Sequence, residues 1–330
     1  MNEVAESLQL YIKMHKPLGD VSVSSIELLR DGNSSNHLNY KISTSGGDFI
    51  ARVVRPADLL SYPNLADEFT ILKLIESYNV GPKVLTVDLE YFQTPVLFEE
   101  CLVGTLYQDI SEATKDVFDA SIELMVKTSE IEIDSTQFPF KYSYTTYTTN
   151  FRAWDIRMKE IVDSLEKGHF LVDGFYDVIK TATNYLKEKD VILKNSKQEF
   201  IYNDVHPGNV FWLPEEKKAK FIDWQKVSVG DPSFMIALFA RRFASIWGAN
   251  KKEFLTKSLT DYSSRKNIEN FEELFWSRVF ERAVSDMIWS IWASVKKKED
   301  INVTDIQEHK YFNEVQDVLK ILGISSHTDQ

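Results

Sequence analysis

The hydrophobic pattern changes its period near residue 100, and this change limits the chain to a mixed α+β fold. Before it, short apolar runs with partial alternation at 24–31, 37–43 and 48–56 are separated by turn compositions, which is typical of antiparallel strands. Beyond residue 104, apolar residues recur at three- and four-residue steps, which is typical of amphipathic helices. The sequence therefore predicts a small β-rich part followed by a larger helical part.

Finer patterns predict individual elements. In the first part we expect helices at 3–15 and 64–78 and two more strands at 83–88 and 94–100. In the second part we expect a loop at 141–150, four helices after Asp231 and, before them, helices at 114–129, 151–165 and 172–187. Three short strands interrupt this helical part, at 199–203, 209–213 and 219–223.

Charge and composition narrow the classes of function. A chain of 330 residues, 43% of them hydrophobic, can bury a large core, and at roughly 150 residues per domain it has room for about two domains or lobes. The 38 basic and 50 acidic residues give a net charge of −12, which disfavours a nucleic-acid partner because phosphates would be repelled. The same excess of acid favours a cationic small molecule.

Neither a disulfide nor a membrane segment is expected. Cys101 is the single cysteine, and the first residues are acidic where a signal peptide would be basic and apolar. No run of about 18 consecutive apolar residues occurs that would predict a membrane span. We therefore expect a soluble cytoplasmic protein with no membrane partner, and the oligomeric state stays open.

Three oxygen-bearing side chains, Asp204, Asn209 and Asp223, surround a predicted hairpin. Its two strands leave the turn at 204–209 and return to it, which brings the three side chains to one end. Hard oxygen ligands with open positions suit Mg²⁺, which keeps waters and bridges to substrate phosphates. A hairpin turn capped by an Asx side chain is the simpler alternative for the turn alone.

The spacing of these residues is that of a kinase catalytic loop and metal-binding Asp. The stretch "IYNDVHPGNVFWL…KFIDWQKVSVGDP", 201–232, resembles the aminoglycoside phosphotransferase and choline kinase-like family of small-molecule kinases. The resemblance implies a two-lobed protein kinase-like fold: a nucleotide-binding lobe at 1–99 with a small antiparallel sheet and one helix, a hinge at 100–104, and a mostly α-helical lobe at 105–330. It also implies ATP or GTP as donor, Mg²⁺, and a small-molecule hydroxyl as acceptor.

Carried onto this sequence, the resemblance gives Asp204 the role of the catalytic carboxylate that orients the acceptor hydroxyl and takes its proton. Asn209 and Asp223 would hold Mg²⁺ on the nucleotide phosphates. His206, two places after the catalytic carboxylate, would contact the γ-phosphate. Asp231, in "GDP", fits a position that is more structural than chemical.

The first lobe offers the remaining parts of a nucleotide site. Arg52, at the centre of the third strand, and Glu68, on the following helix, would form the ion pair that holds the phosphates. An ordinary Arg–Glu surface pair is the alternative. A phosphate-covering loop would use Ser34, Ser35 and Asn36, for which a plain hairpin turn is the alternative, and the backbone near Glu100 and Leu102 would meet the nucleobase.

The sequence departs from the family at two positions. Tyr202 replaces the family's histidine before the catalytic loop, and Met235 stands where an Asp often precedes Ile-Ala. Both family residues brace the loop, and neither is a metal ligand. The departures motivate an alternative function, a catalytically degenerate nucleotide-binding regulatory module.

The acceptor site is predicted in the helical lobe. Asp286, Trp289 and Trp292 follow each other at three-residue steps on one predicted helix, so a carboxylate and two indoles share one side and could hold an ammonium group. Tryptophans packed in a helical core are the alternative. The leading prediction is thus a Mg²⁺-dependent kinase of an aminoglycoside-like antibiotic or an amino alcohol such as choline or ethanolamine. A protein kinase is disfavoured, because Asp223 begins Asp-Trp-Gln instead of Asp-Phe-Gly.

Overall fold

The computed structural model describes residues 3–29, 37–54, 65–92, 94–134, 136, 138–140, 142–164, 171–296 and 310–324. Its contacts divide the chain into two compact units, the first of Met1–Lys141 with Asp204–Val227 and the second of Tyr142–Asn203 with Ser228–Gln330. The segment 204–227, which carries the predicted catalytic and metal-binding residues, thus shares a unit with the N-terminal sheet. The lobe boundaries at 99 and 104 remain a prediction.

A five-stranded antiparallel sheet forms the N-terminal part of the first unit, in the order β1-β2-β3-β5-β4. The strands are β1 (Val23–Leu28), β2 (His37–Thr44), β3 (Gly47–Val54), β4 (Val84–Asp88) and β5 (Val96–Glu100). The predicted antiparallel sheet is confirmed.

Helix α1 (Glu3–His15) covers this sheet because its apolar residues fall on one face. Leu8 and Ile12 pack in one hydrophobic cluster with residues of the sheet that include Tyr40, Ala51 and Phe98. Several fully buried side chains, each worth about 1.5–3 kcal/mol of transfer free energy, hold the helix on the sheet.

Helix α2 (Leu65–Ile75) buries Leu65, Leu72 and Ile75 on one face and a charged residue, Glu68, beside them. A carboxylate is stable there because it is paired with a cation and with N–H groups, as described below. The helix is followed by a short 3-10 helix, Glu76–Tyr78.

A second sheet in the first unit has the order β10-β9-β6. Strands β9 (Val210–Leu213) and β10 (Lys218–Phe221) form the predicted hairpin, and β6 (Thr105–Leu106) joins its outer side. Gly104 leads into β6 so close to the hairpin that an added Cβ would lie 2.0 Å from the carbonyl oxygen of Trp212. Only glycine permits this approach. Helix α3 (Lys115–Ser129), capped by Thr114, completes the unit.

The second unit is mostly helical. It contains α4 (Thr148–Ser164), α5 (Leu171–Asn195), α6 (Phe234–Ala244), α7 (Lys251–Ser263), α8 (Phe271–Lys296) and α9 (Lys310–Leu322). The four helices predicted after Asp231 are confirmed. The loop predicted at 141–150 is wrong in part, because strand β7 (Tyr142–Tyr144) pairs there with β11 (Val227–Gly230), beside β8 (Glu199–Tyr202). Among the described residues, no helix is long and apolar enough to cross a membrane.

A buried ion network lies within the second unit. Arg278 is fully buried, and its Nε and Nη2 donate to Oδ2 of Asp231 at 3.0 and 2.5 Å. The other carboxylate oxygen, Oδ1, accepts from Ser233. The Arg278 guanidinium also contacts Glu281 and lies 4.7 Å from the ring centroid of Tyr147. These contacts support the structural role expected for Asp231.

Candidate active site

The turn at 204–209 is held by its own polar groups. Pro207–Asn209 form one turn of 3-10 helix, and His206 caps it, because its Nδ1 accepts from the backbone N–H of Gly208 at 3.1 Å. The amide side chain of Asn209 donates both to the carbonyl oxygen of Asp204 and to its carboxylate Oδ2, at 3.3 Å each. The five-residue spacing thus brings the predicted catalytic and metal-binding side chains into direct contact.

Asp223 is brought to the same place by the hairpin. The backbone N–H of Ile222 donates to the carbonyl of Asn209 at 3.0 Å, which continues the β9–β10 pairing by one more step. Asp223 itself adopts a left-handed backbone with φ of 61°. Asp tolerates this region better than most residues, and such backbones cluster at functional sites. Its side chain is 38% exposed.

Arg52 connects this hairpin to the N-terminal sheet and to α2. Its Nη1 donates to Oε1 of Glu68, and its Nη2 lies 3.1 Å from Oδ1 of Asp223. Arg52 and Glu68 are both buried, with side chains 6% and 0% exposed. Their burial excludes the alternative of an ordinary surface pair, in which both charged groups would be in water.

Residues after Asp223 complete the surroundings of Glu68. The backbone N–H of Trp224 donates to its Oε1 at 2.8 Å, and the side-chain amide of Gln225 donates to its Oε2 at 3.2 Å. The Trp224 indole is fully buried, and it lies so close to Gly81 that a Cβ there would be 2.5 Å from its Nε1. The buried carboxylate therefore has the partners that its charge requires.

His37 belongs to this cluster but was missed in the sequence. Its Nε2 lies 3.0 Å from the side-chain amide nitrogen of Gln225. Burial and the nearby charge of Arg52 lower the pKa of His37 from 6.5 to about 4, so the ring is neutral at pH 7. A neutral Nε2 can accept the amide proton of Gln225, which assigns the ring proton to Nδ1.

The charge state of Asp223 follows from the same groups. Burial alone would raise its pKa, but the positive charge of Arg52, which also donates a hydrogen bond to the carboxylate, outweighs burial and keeps the pKa below its usual value. Asp223 is therefore an ionised carboxylate with one oxygen turned to Arg52.

These oxygen atoms fit a magnesium ion. Asn209 uses its amide nitrogen toward Asp204, which leaves its carbonyl oxygen as the donor atom, and Asp223 supplies an ionised, partly exposed carboxylate. Mg²⁺ is commonly bound through one or two protein carboxylates together with waters and substrate phosphates. No group of three or more His, Cys, Asp or Glu side chains suited to a metal occurs in the described part of the chain.

The other residues predicted to bind the nucleotide are Glu100 and Leu102, near the hinge, and three residues of the phosphate-covering loop. Glu100, at the end of β5, pairs with Lys220 of β10 at 2.9 Å, and Leu102 is partly buried in the connection that follows. The pair links the predicted hinge to the hairpin. Ser34, Ser35 and Asn36 lie outside the described residues.

The predicted acceptor residues lie in the second unit on α8. Asp286 pairs with Arg241 at 3.1 Å, and the Trp292 indole donates to Glu160 at 2.7 Å. Trp289 is 55% exposed, which excludes it from the helical core that was the alternative. Their use by an acceptor remains a prediction.

The two departures from the family also lie in the second unit. Both Tyr202 and Met235 are fully buried, and the backbone N–H of Tyr202 points at the Met235 sulfur, 3.4 Å away. Tyr202 and Met235 therefore contact each other, and the acceptor is a thioether sulfur, which accepts hydrogen bonds more weakly than a carboxylate would.

Two further titratable residues, Lys226 and Glu99, were missed in the sequence. The ammonium of Lys226 lies 2.9 Å from Oδ2 of Asp204. Glu99, on β5, is 6% exposed, and its Oε2 has no hydrogen-bond partner among the described residues. Burial raises the pKa of Glu99 to about 8, although the charge of Arg52 partly opposes the rise. Glu99 thus carries its proton at neutral pH.

The protonated state of Glu99 predicts a pH dependence of stability. The folded chain keeps this proton after the unfolded chain has lost it, so the free energy of unfolding falls as the pH rises from 4.5 to about 8. The Glu99→Gln variant is neutral throughout, and we expect it to gain on the order of 1 kcal/mol per pH unit over wild type in this window. Urea unfolding from pH 5 to 8.5 measures the difference.

The exposed Glu132 provides the control for that comparison. Glu132→Gln should follow the wild-type profile. If Glu99→Gln also follows it, the carboxyl of Glu99 is not protonated in the folded protein.

Solved structures share this fold at low sequence identity. A choline/ethanolamine kinase family protein from Mesorhizobium loti has a TM-score of 0.64 at 14% identity, with 96% of this chain and 94% of that chain covered. Spectinomycin phosphotransferase APH(9)-Ia, in complex with ADP and spectinomycin, has a TM-score of 0.65 at 12% identity, covering 97% and 98%. Plasmodium vivax ethanolamine kinase has a TM-score of 0.59 at 14% identity, covering 94% and 85%.

These likenesses confirm the predicted fold class, a two-lobed protein kinase-like fold of the α+β class. A search of curated protein sequences finds no match. The APH phosphotransferase enzyme family matches residues 25–266, which is well over half of the chain and includes Arg52, Glu68 and the whole of 204–232. The chain therefore belongs to the APH phosphotransferase enzyme family and is a small-molecule kinase.

Proposed function

We propose that this protein transfers the γ-phosphoryl group of ATP or GTP, in a Mg²⁺-dependent reaction, to a hydroxyl of a small cationic molecule. One observation carries the proposal. Arg52 joins Glu68 to Asp223, while Asn209 holds the carboxylate of Asp204. Phosphoryl transfer needs mostly positioning and charge neutralisation, and this arrangement combines a carboxylate for the acceptor with oxygen ligands for a metal.

Asp204 acts on the acceptor. Its carboxylate is 18% exposed, and its contacts with Asn209 and Lys226 fall on Oδ2. The acceptor hydroxyl would donate to Oδ1, which orients the attacking oxygen and receives its proton as the bond to phosphorus forms.

Asn209 and Asp223 would hold Mg²⁺. The ion would supply positive charge against the nucleotide phosphates when it is bound. Arg52 keeps Asp223 ionised and its side chain fixed. The partial exposure of Asp223 leaves its carboxylate accessible to a metal and nucleotide.

The donor nucleotide would be bound by the first unit. Arg52 would face its phosphates, with Glu68 fixing the guanidinium, and His206 would lie toward the γ-phosphate. The backbone near Glu100 and Leu102 would meet the nucleobase, and Ser34, Ser35 and Asn36 would cover the phosphates. The ADP and AMP-PNP complexes of related enzymes support a nucleotide co-substrate. Because ATP and GTP are cytoplasmic metabolites, a cytoplasmic location fits this chemistry.

The acceptor would be an aminoglycoside-like antibiotic or an amino alcohol such as choline or ethanolamine. The net charge of −12 supports a cationic acceptor. The related enzymes act on both classes, with spectinomycin and hygromycin B bound in two of them and ethanolamine kinases among the others. Asp286, Trp289 and Trp292 remain the proposed acceptor contacts.

A nucleotide-binding regulatory module without turnover is the second candidate. The contact between Tyr202 and Met235 favours it, because a sulfur replaces a loop-bracing carboxylate. Retention of Asp204 with both proposed metal ligands opposes it, since binding alone does not require the catalytic carboxylate.

A nucleotide-consumption assay over a panel of acceptors tests the proposed reaction. Aminoglycosides, choline, ethanolamine and sugar alcohols are offered with MgATP or MgGTP. We expect one acceptor class to stimulate turnover and Asp204→Asn to lower kcat by about 100-fold or more, because the general base is lost.

The control for that substitution is Asp116→Asn, since Asp116 also pairs with a lysine, Lys217 at 2.8 Å, but outside the site. Its turnover should match wild type. Nucleotide binding without turnover on any acceptor would instead support the regulatory module.

Trp289 gives a separate test of the acceptor contacts. Its side chain is largely exposed, so Trp289→Ala should leave the melting temperature unchanged and raise the acceptor KM about 2- to 5-fold through loss of a cation–π contact. Steady-state kinetics with the acceptor found above measures this. Tyr176→Ala, another exposed aromatic of the second unit, is the control. An unchanged KM in Trp289→Ala would remove Trp289 from the acceptor site.

A further inference from the structure

Lys226 holds a position that the assigned roles do not explain. It follows Asp223 by three residues, and its Nζ lies 2.9 Å from Oδ2 of Asp204. Its side chain is 52% exposed. An exposed ion pair adds little to the stability of a protein, because both charges are well solvated in water. Stability therefore does not explain why a lysine lies on this particular carboxylate.

The contact with Lys226 gives the two oxygens of the Asp204 carboxylate different roles. Oδ2 lies close to Lys226, to the Asn209 amide at 3.3 Å and to His206 Nε2 at 3.9 Å. The acceptor hydroxyl would use Oδ1. The Lys226 ammonium and the attacking oxygen of the acceptor would therefore contact the two oxygens of the same carboxylate.

His206 is already engaged by the turn that carries it. Its Nδ1 accepts the backbone N–H of Gly208 at 3.1 Å, and its Nε2 lies 3.9 Å from Oδ2 of Asp204. A lysine ammonium is charged at neutral pH and stands on a flexible four-carbon stem.

We propose that Lys226 is the phosphoryl-facing cation of this site, in contact with Asp204 before nucleotide binds and with the γ-phosphate oxygens in the nucleotide complex. The proposal rests on the proposed phosphotransferase function and adds a residue to it. The lysine side chain is long and half exposed, so rotation of its own bonds would carry the ammonium from the carboxylate to a phosphate oxygen.

The role is compatible with a balanced reaction. The bond from the γ-phosphorus to the oxygen bridging to the β-phosphate breaks, and a bond from the acceptor oxygen to that phosphorus forms. The hydroxyl proton passes to Asp204 and the nucleoside diphosphate leaves. Lys226 keeps its protons throughout and neutralises negative charge on the oxygens of the transferred group.

Nucleotide binding tests the role without knowledge of the acceptor. Isothermal calorimetry measures the dissociation constants of MgAMP-PNP and MgADP for wild type, Lys226→Met and Lys226→Arg. Because a charged hydrogen bond to the γ-phosphate is lost, Lys226→Met should bind MgAMP-PNP about tenfold more weakly. MgADP lacks that phosphate, so its affinity should stay within about twofold, and Lys226→Arg should restore most of the difference.

Lys218→Met is the matched control, since Lys218 is 46% exposed and pairs with Glu216 at 3.2 Å in the same unit. It should bind both nucleotides as wild type does. Equal affinities in Lys226→Met and wild type, or equal weakening for both nucleotides, would overturn the role of Lys226 alone. Failure of wild type to bind either nucleotide would overturn the proposed function together with it.

Discussion

The buried guanidinium of Arg52 is the interaction on which the rest of the site depends. It carries a full charge at a place where its side chain is only 6% exposed, so it requires anionic partners. Glu68 on α2 and Asp223 after β10 supply them from two separate elements. Removing one partner of such a buried group costs about 3–5 kcal/mol, because an uncompensated charge remains. The pairing thus fixes both elements against β3.

Backbone hydrogen bonds on either side of Asp223 position the neighbouring residues of the site. The left-handed turn at Asp223 leaves the next N–H, that of Trp224, directed at Glu68. On the other side, the hydrogen bond from Ile222 to Asn209 places the proposed metal ligands on neighbouring strands, and the Asn209 amide then holds Asp204. These hydrogen bonds connect Arg52, through Asp223 and the hairpin, to Asn209 and Asp204.

Sequence patterns predicted the parts whose position is fixed by local spacing. Asp204 and Asn209 belong to one turn and Asp223 to the end of one hairpin, so their meeting follows from strand pairing. Other features depend on packing between distant segments, which no local pattern encodes. Glu68 is fully buried where it meets Arg52, and the contact between Lys226 and Asp204 spans 22 residues of chain. Glu99 had no signal in the sequence, and its pKa is raised because it is buried.

The claim that Arg52 and Asp223 act as one unit is tested most directly by a double-mutant cycle on MgADP binding. Isothermal calorimetry on wild type, Arg52→Lys, Asp223→Asn and the double variant gives the coupling free energy between the two residues. Groups in direct contact usually couple by about 0.5–3 kcal/mol, and we expect a value of about 1 kcal/mol or more. Additive effects of the two substitutions, with no coupling beyond experimental error, would contradict the account.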